Sequence, residues 1–366
     1  MTYLTPAMMA FFVTVGLTFA LRPLAIQIGL TDKPGGRKRH TGEIPLVGGI
    51  AMFIGTSVVA TVSTRTVVDL WYIFLASTLL LAVGALDDRF GMRAGIRLTF
   101  QAIAAAVMVL GGLYLTDIGS PFGPGLVGLG PLAIPLTIII TVTVINAFNF
   151  IDGLDGLAAS MAIVGLVPGI LAVGGGTATA DLVIIACGAI LGFLVFNLPG
   201  MRKLAVRTFM GDAGSTLLGF TVVWSTIVIT QGPVRSLSPV LALWFVLIPL
   251  ADFFNCFVRR IAKGKWPLQA GREHFHHILM RGGLSTRQIV AVLVGFACLY
   301  ASIGVLAIRF QVPDWPMFAA WITMVFGQYF IIKRLATWLR YRRWTAALGP
   351  IGAHRRVSAD RELPAS

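Results

Sequence analysis

The stretch Leu70-Trp-Tyr-Ile-Phe-Leu-Ala-Ser-Thr-Leu-Leu-Leu-Ala-Val-Gly-Ala-Leu-Asp-Asp88 decides the fold class of this 366-residue chain. An apolar run of this length predicts a membrane-spanning helix, and the two carboxylates mark its polar end. Similar windows recur along the chain, whose mean hydropathy is +0.85 with 12% charged residues. We therefore predict an all-α, polytopic membrane protein of about eleven transmembrane helices. The predicted spans are 4–24, 46–63, 69–86, 97–115, 131–150, 156–175, 181–198, 212–231, 237–257, 287–308 and 315–335.

The basic residues predict the orientation of this bundle, because cytoplasmic loops hold the excess of Lys and Arg. With eleven spans and the N-terminus outside, only Arg65, Arg235 and Arg309 of the 29 basic residues fall outside, and the C-terminus is cytoplasmic. The net charge of +14 is then an orientation signal that also attracts anionic membrane lipids. Nucleic acid is not expected as a partner, since no basic stripe with interleaved aromatics lies on a soluble domain. We predict a transmembrane domain over 1–336 and a basic cytoplasmic tail over 337–366.

The same topology places the reactive side chains on one face of the membrane. A carboxylate at membrane depth costs several kcal/mol unless it is paired or wetted, so each acid at the end of an apolar run is a functional candidate. These acids are Asp87, Asp88, Asp152, Asp155 and Asp212. Groups that act together must lie close to one substrate, so we predict a catalytic surface built by the cytoplasmic loops. Those loops are 31–45, 87–97, 149–156, 199–215 and 258–286.

The stretch Asn146-Ala-Phe-Asn-Phe-Ile-Asp-Gly-Leu-Asp-Gly156 combines oxygen donors with glycines. Its Asn and Asp residues recur every three positions, and an ideal helix rotates such a row by about 60° per step, so they cannot all face one ligand. Gly153 and Gly156 supply places where the helix can end and re-aim Asp155. Amide and carboxylate oxygens suit a hard cation such as Mg²⁺, and a polar helix-packing seam is the structural alternative.

Two further acidic motifs have both a structural and a functional interpretation. Asp87 and Asp88 are followed by arginines, so they form either interfacial ion pairs or a general base and cation ligand. In Phe209-Met-Gly-Asp-Ala-Gly-Ser215, Asp212 lies near the start of a predicted helix. There it either caps the helix or, with the glycines, lets a diphosphate and its metal approach the backbone.

The stretch Arg272-Glu-His-Phe-His-His277 holds three of the five histidines. No cysteine is near it in the sequence, which disfavours a zinc site. Histidines and arginines in a cytoplasmic loop instead suit anionic oxygens such as those of a diphosphate, and a solvated loop is the alternative. The three cysteines, Cys187, Cys256 and Cys298, are interpreted as packing residues.

Taken together, these motifs resemble the polyprenyl-phosphate N-acetylhexosamine-1-phosphate transferases, membrane enzymes that begin bacterial glycan assembly on a lipid carrier. Arg37-Lys-Arg-His-Thr-Gly-Glu-Ile-Pro-Leu-Val-Gly-Gly49 and Asn197-Leu-Pro199 extend the resemblance over nearly the whole membrane core. The interrupted cluster His274-Phe-His-His277 is similar to the branch that joins GlcNAc-1-phosphate to undecaprenyl phosphate. The branch acting on UDP-MurNAc-pentapeptide carries three consecutive histidines, and Phe275 interrupts them here.

The resemblance implies a Mg²⁺-dependent transfer, with Mn²⁺ as a possible substitute, of N-acetylglucosamine 1-phosphate from UDP-GlcNAc to undecaprenyl phosphate. UMP is released, and the product starts a cell-surface glycan such as O-antigen, common antigen, teichoic acid or exopolysaccharide. The implied location is the bacterial cytoplasmic (inner) membrane with the active site on its cytoplasmic face, and a homodimer is compatible with it. Another UDP-N-acetylhexosamine or UDP-MurNAc-pentapeptide, a covalent aspartyl-phosphate route and a cation-coupled carrier stay open as alternatives.

The resemblance also implies a role for each candidate residue. Asp212 and Asn149 hold the metal on the diphosphate, and Asp87 is the favoured base, with Asp88, Asp152 and Asp155 completing the catalytic group. Phe209 and Asn197 lie at the uracil. The remaining catalytic and substrate-binding candidates are His274, Arg97, Arg272, His276, His277, Asn146, Lys33 and His40.

Overall fold

The chain folds into a bundle of apolar helices whose polar residues gather at the helix ends. The structure is a computed structural model that describes residues 4–33, 42–63, 66–173, 177–199, 206–231, 235–264 and 274–359. The helices are α1 (Leu4–Ile28), α2 (Gly48–Ser63), α3 (Thr66–Asp69), α4 (Trp71–Phe90), α5 (Ala94–Leu110), α6 (Ala133–Ile151), α7 (Leu157–Val173), α8 (Ala178–Asn197), α9 (Gly211–Gln231), α10 (Pro239–Ala242), α11 (Leu247–Ile261), α12 (Phe275–Arg281), α13 (Thr286–Arg309) and α14 (Asp314–Ala359). Short 3-10 turns at Gly130–Leu132 and Leu243–Val246 precede α6 and α11.

Ten of the eleven predicted spans each overlap one long helix of the structure, and the span 237–257 overlaps α10, the 3-10 turn after it and α11. Within the described residues, seven helical segments are long and apolar enough to cross a membrane: Leu4–Ile28, Gly130–Ile151, Ala178–Asn197, Gly211–Gln231, Pro239–Ile261, Thr286–Arg309 and Asp314–Leu335. Three further apolar helices are shorter, at Gly48–Ser63, Ala94–Leu110 and Leu157–Ala172. The chain is therefore a helical, multi-pass membrane protein, and the count of eleven spans stays a prediction.

Helix α9 lies at the centre of the bundle, packed against α2, α4, α6 and α7. Small residues let the backbones approach closely, as membrane helices require in the absence of a hydrophobic driving force between them. A Cβ atom at Gly49 of α2 would overlap the backbone of Gly214, and one at Gly84 of α4 would overlap Ala213. These contacts fix the first turn of α9 against the adjoining ends of α2 and α4.

Two polar segments join at the same end of the bundle. The two-residue strands β1 (Thr31–Asp32) and β2 (Ile44–Pro45) pair in antiparallel register, Thr31 with Pro45 and Asp32 with Ile44. The chain before α9 continues this pairing, since the Phe209 N–H donates to the Pro45 carbonyl (3.0 Å) and the Gly48 N–H donates to the Phe209 carbonyl (3.0 Å). The first predicted cytoplasmic loop therefore holds the segment that leads into Asp212.

The opposite end of α9 carries a separate polar cluster. Arg235 donates to both carboxylate oxygens of Asp117, at 2.7 and 3.0 Å. Asp314, at the start of α14, accepts from the Ser238 hydroxyl (2.6 Å) and the Ser120 N–H (2.8 Å). These bonds tie the segment between α5 and α6 to α9, α10 and α14.

Candidate active site

Carboxylates from α4 and α9 meet around one arginine. Arg97 Nη1 lies 2.7 Å from Asp87 Oδ2 and 3.0 Å from Asp212 Oδ2, so a single cation bridges the two acids. Asn149 Nδ2 donates to the other Asp212 oxygen (2.8 Å) and to the Ser215 hydroxyl (2.9 Å). A cavity opens beside these groups, and its walls come from α4, α5, α6 and α9. It is lined by Leu80, Val83, Gly84, Asp87, Arg97, Gln101, Asn146, Asn149, Asp212 and Thr216.

Asp88 caps α9 from another helix. Its carboxylate accepts the backbone N–H of Asp212 (2.8 Å) and that of Ala213 (3.2 Å), two of the unpaired donors at the start of α9. The sequence left a capping role open for Asp212. The structure gives that task to Asp88, because α9 begins at Gly211 and the Asp212 side chain turns to Arg97 and Asn149 instead.

We expect Asp88→Ala to lower the thermal stability of the protein, because two N–H groups at the start of α9 lose their acceptor. Loss of a capping carboxylate costs about 0.5–2 kcal/mol, and Asp88→Asn should cost less because one acceptor oxygen remains. The measurement is the thermal unfolding midpoint in detergent, with the exposed Asp69→Ala as the matched control. A midpoint for Asp88→Ala equal to that of wild type would contradict the capping role.

The predicted break in the Asn/Asp row is confirmed. Helix α6 ends at Ile151, Asp152 follows as its C-terminal cap, and Gly156 adopts φ +80°, a conformation that favours glycine. Asp155 pairs with Arg207, whose Nη2 lies 2.8 Å from Asp155 Oδ2. Burial raises the pKa of the Asp152 carboxyl well above its usual value, and the negative charges of Asp212 and Asp88 raise it further.

Asn197 and Phe209, the candidates for the uracil, belong to the frame around this turn. Asn197 is buried; its Oδ1 accepts the Gly156 N–H (2.6 Å) and its Nδ2 donates to the Thr208 carbonyl (2.9 Å). The Arg207 guanidinium lies over the half-buried ring of Phe209, 4.7 Å from its centroid. Asn197 thus joins the 152–156 turn to the segment that presents Phe209.

The histidine cluster packs against the same turn. A Cβ atom at Gly153 would overlap the His276 ring, and the His274 ring contacts Phe150 edge-on at 5.3 Å between centroids. A cysteine is close to this cluster in space, although none is near it in the sequence: Cys256 Sγ lies 3.4 Å from His274 Nδ1. The prediction that no cysteine lies nearby was therefore wrong. His277 packs beside His276, with 4.2 Å between ring centroids.

The other candidates have different surroundings. Asn146 lines the cavity and donates to Gln101 Oε1 (2.6 Å) and to the Val142 carbonyl. Lys33 is exposed on the two-stranded ribbon, where its Nζ lies 3.5 Å from Glu43. His40 and Arg272 lie outside the described residues.

Two charged residues at this end of the bundle were not predicted from the sequence. Arg207 was not singled out, although it pairs with Asp155. Asp252 was also missed, although it lies inside an apolar run and is 4% exposed. Asp252 meets the same criterion as the five acids at helix ends, since it is an ionisable residue within the candidate span Pro239–Ile261.

Comparisons with known proteins agree with the geometry. Residues 70–230, from α4 to α9, match the family model of glycosyl transferase family 4. The undecaprenyl-phosphate alpha-N-acetylglucosaminyl 1-phosphate transferase of Escherichia coli K12 is 42% identical over 335 residues, covering 88% of this chain and 89% of that protein. The proteins of the same name from Yersinia pestis and Haemophilus influenzae are each 38% identical, covering 91% of this chain and 92% and 97% of their own lengths. The chain therefore belongs to the polyprenyl-phosphate N-acetylhexosamine-1-phosphate transferases of glycosyl transferase family 4.

Proposed function

We propose that this chain transfers N-acetylglucosamine 1-phosphate from UDP-GlcNAc to undecaprenyl phosphate and releases UMP. The names of relatives that are 38–42% identical over about nine-tenths of the chain support this activity. The structural observation that carries the proposal is the convergence of Asp87, Asp212, Asn149 and Arg97 on one cavity. Two negatively charged substrates can react only where such a set positions and neutralises them.

The reaction makes one P–O bond and breaks another. An oxygen of the lipid phosphate attacks the phosphorus that bears the sugar, and the bond from that phosphorus to the bridging oxygen of UDP breaks. The electron pair of the broken bond leaves with UMP. The second pKa of a phosphate monoester is about 6, so the lipid phosphate is mostly ionised at neutral pH and needs little help from a base.

Asp87 is the residue that we assign to the lipid phosphate. Its Oδ1 accepts the Met92 N–H and its Oδ2 accepts from Arg97, so the carboxylate is held in one orientation. It lies at the end of an apolar helix, where a lipid head group arrives. Asp87 can remove the remaining proton of a monoprotonated phosphate or orient the phosphate beside the donor.

The donor atoms fit a divalent metal ion. Asp87, Asp212 and Asn149 offer carboxylate and amide oxygens, the ligand type that Mg²⁺ prefers. We assign the metal to Asp212 and Asn149, with Mn²⁺ as a substitute. When bound, the ion neutralises charge on the diphosphate and polarises its phosphoryl oxygens. Arg97 now bridges the two acids, so it is placed to turn to the sugar nucleotide when another cation neutralises them.

The remaining candidates are assigned to binding the substrates or to completing the polar site. Phe209 stacks on the uracil, and Asn197 keeps the Phe209 segment in register with the 152–156 turn. His276, His277, Asn146, Lys33, His40 and Arg272 are assigned to binding the substrates. Asp152 and Asp155 complete the polar site, the first near the metal ligands and the second through Arg207.

The finer topology is also part of the proposal. We place the active site on the cytoplasmic face of a bacterial inner membrane, where UDP-sugars are made, with eleven spans, the N-terminus outside and the C-terminus inside. The gathering of Asp87, Asp88 and Asp212 at one end of the helices supports a catalytic surface over a cation-coupled carrier, which needs acids reachable from both sides.

The test is UMP release by the purified protein in detergent with undecaprenyl phosphate, UDP-GlcNAc and Mg²⁺. Turnover should require both substrates and stop when EDTA removes the metal. A panel of UDP-GlcNAc, UDP-GalNAc and UDP-MurNAc-pentapeptide should favour UDP-GlcNAc. Equal or faster turnover with UDP-MurNAc-pentapeptide would overturn the assignment of the donor sugar.

We expect Arg97→Gln to lower the rate of UMP release by about 10²–10³-fold, the usual cost of removing one electrostatic contributor. Arg235→Gln is the matched control, because Arg235 pairs with an aspartate and is equally exposed, 34%, at the other end of α9. Without Arg97 as a competing cation, Mn²⁺ should also bind more tightly, which electron paramagnetic resonance of free Mn²⁺ measures. Equal activities of the two variants would contradict the role of Arg97.

A further inference from the structure

Asp252 is a buried acid inside an apolar helix. It lies on α11, within the candidate membrane span Pro239–Ile261, and is 4% exposed. Both of its oxygens are used: Oδ2 lies 2.8 Å from His274 Nδ1, and Oδ1 accepts the Phe275 N–H at 2.7 Å. A buried carboxylate costs several kcal/mol unless it is paired and hydrogen-bonded. His274 and the Phe275 N–H meet this requirement for Asp252.

The partners of Asp252 begin α12, the short helix that carries His276 and His277. Helix α12 is also docked on its other side, where His276 touches Gly153 and the His274 ring meets Phe150. His276 is 1% exposed, and neither of its ring nitrogens has a hydrogen-bond partner among the described residues. Asp252 therefore sets the position of the histidines beside the end of α6.

We propose that Asp252 is a positioning residue for the transfer reaction, which holds the His274 ring and the start of α12 against the turn from Phe150 to Gly153. This inference rests on the proposed function. Asp252 acts through His274, and the acid itself is enclosed by α11 and α12.

The charges around His274 agree with this role. Burial favours its neutral form, but the hydrogen bond to Asp252 outweighs burial and raises the pKa of His274 to about 10. Asp252 thus favours the protonated ring, whereas Arg260 Nη2, 3.5 Å from His274 Nε2, opposes it. The titratable and charged groups that face it are Asp252, Cys256 and Arg260 from α11 and His276 and His277 from α12, while α6 contributes the Phe150 ring.

The neighbouring His276 has the opposite property. Burial lowers the pKa of His276 to about 3, so this ring is neutral near pH 7. The two rings are stacked, with 5.7 Å between centroids and 9° between planes. Both rings are buried, so they pack as one unit against the turn from Phe150 to Gly153.

A metal site is the competing interpretation of this cluster. One oxygen of Asp252, Cys256 Sγ and one nitrogen of His274 lie within 4.8 Å of one another. However, Arg259 donates to the same sulfur (3.4 Å), and Arg260 Nη2 lies 3.5 Å from His274 Nε2. Two guanidinium groups beside the cluster repel a divalent cation, and Asp252 already has a full set of partners.

The test compares Asp252→Asn and Asp252→Glu with wild type by the rate of UMP release from pH 6 to pH 9. Asp252→Asn keeps the shape but removes the charge, so His274 should become neutral at pH 8 and kcat should fall by about 10–100-fold, as for other residues that orient a site. Burial lowers the pKa of the ring once the carboxylate is gone, so the loss should persist down to pH 6. Asp252→Glu keeps the charge, so its ratio to wild type should be the same at every pH, with a lower kcat.

Several outcomes would overturn the inference. They are wild-type activity in Asp252→Asn, an activity of Asp252→Glu no higher than that of Asp252→Asn, or zinc found in the purified protein at one equivalent. If Asp252→Asn is not recovered folded, Asp252→Glu decides, since an unchanged kcat with a longer side chain excludes positioning. Asp181→Asn, an acid in the first turn of α8, is the control variant. If wild type itself releases no UMP, the proposed function fails first, which keeps the two failures distinct.

Discussion

Asp212→Asn is expected to lower the rate of UMP release by about 10²–10³-fold, the usual cost of losing one charge that acts in the transition state. The substitution keeps the size of the side chain and removes the negative charge that we assign to the metal. Asp212 is suited to this role because Asp88 caps α9 in its place, which leaves its carboxylate to Arg97 and Asn149. The loss should be mainly in kcat, with weaker binding of Mn²⁺ measured by electron paramagnetic resonance.

The matched control is Asp181→Asn, which removes an acid from the first turn of α8 just as Asp212→Asn does from α9. It should retain wild-type turnover and metal affinity. Turnover of Asp212→Asn within twofold of wild type, or unchanged Mn²⁺ affinity, would contradict the metal assignment.

Gly211→Ala should abolish most of the activity and destabilise the protein. Gly211 has φ +70°, and a Cβ atom there would overlap the carboxylate of Asp88. The left-handed conformation alone costs a non-glycine residue about 1–2 kcal/mol, and overpacking adds about 1–3 kcal/mol. The new methyl group would also push Asp88 away from the N–H groups of Asp212 and Ala213, which moves the metal ligand.

Gly91→Ala separates the cost of backbone strain from the cost of displacing Asp88. Gly91 has nearly the same φ, +68°, but nothing lies within 4 Å of a Cβ atom built on it. The thermal midpoint of Gly91→Ala should fall by the strain alone, while its turnover stays within a few-fold of wild type. Equal losses of turnover in the two variants would show that backbone strain, and not displacement of Asp88, causes the effect.

The sequence predicted the helices and much of the site because both depend on local patterns. Apolar windows located the long helices, and glycines after Ile151 predicted the end of α6. The parity of the spans placed Asp87 and Asp212 on one side, and the structure brings them to the same arginine. The two acids meet because the end of α4 and the start of α9 lie at the same end of the bundle.

The rest depends on contacts between residues that are distant in the chain. Asp88 caps a helix that begins more than 120 residues later, and no local pattern identifies a cap supplied by another helix. Cys256 and His274 are 18 residues apart and meet because α12 folds back on α11. The resemblance implied that Asn197 lies at the uracil, which stays a prediction, and no local pattern showed that its two ends hold the backbone at Gly156 and Thr208.

The glycine contacts of α9 fix the spacing between the helices that carry the catalytic residues. Because the backbones of α2 and α4 touch the first turn of α9 at Gly49 and Gly84, these helices cannot slide or tilt separately without collision. A bilayer of unusual thickness acts first on helices with lipid-facing surfaces, such as α1 and α14. The spacing between the helices that carry Asp87 and Asp212 is therefore set by backbone contacts within the protein and not by the thickness of the bilayer.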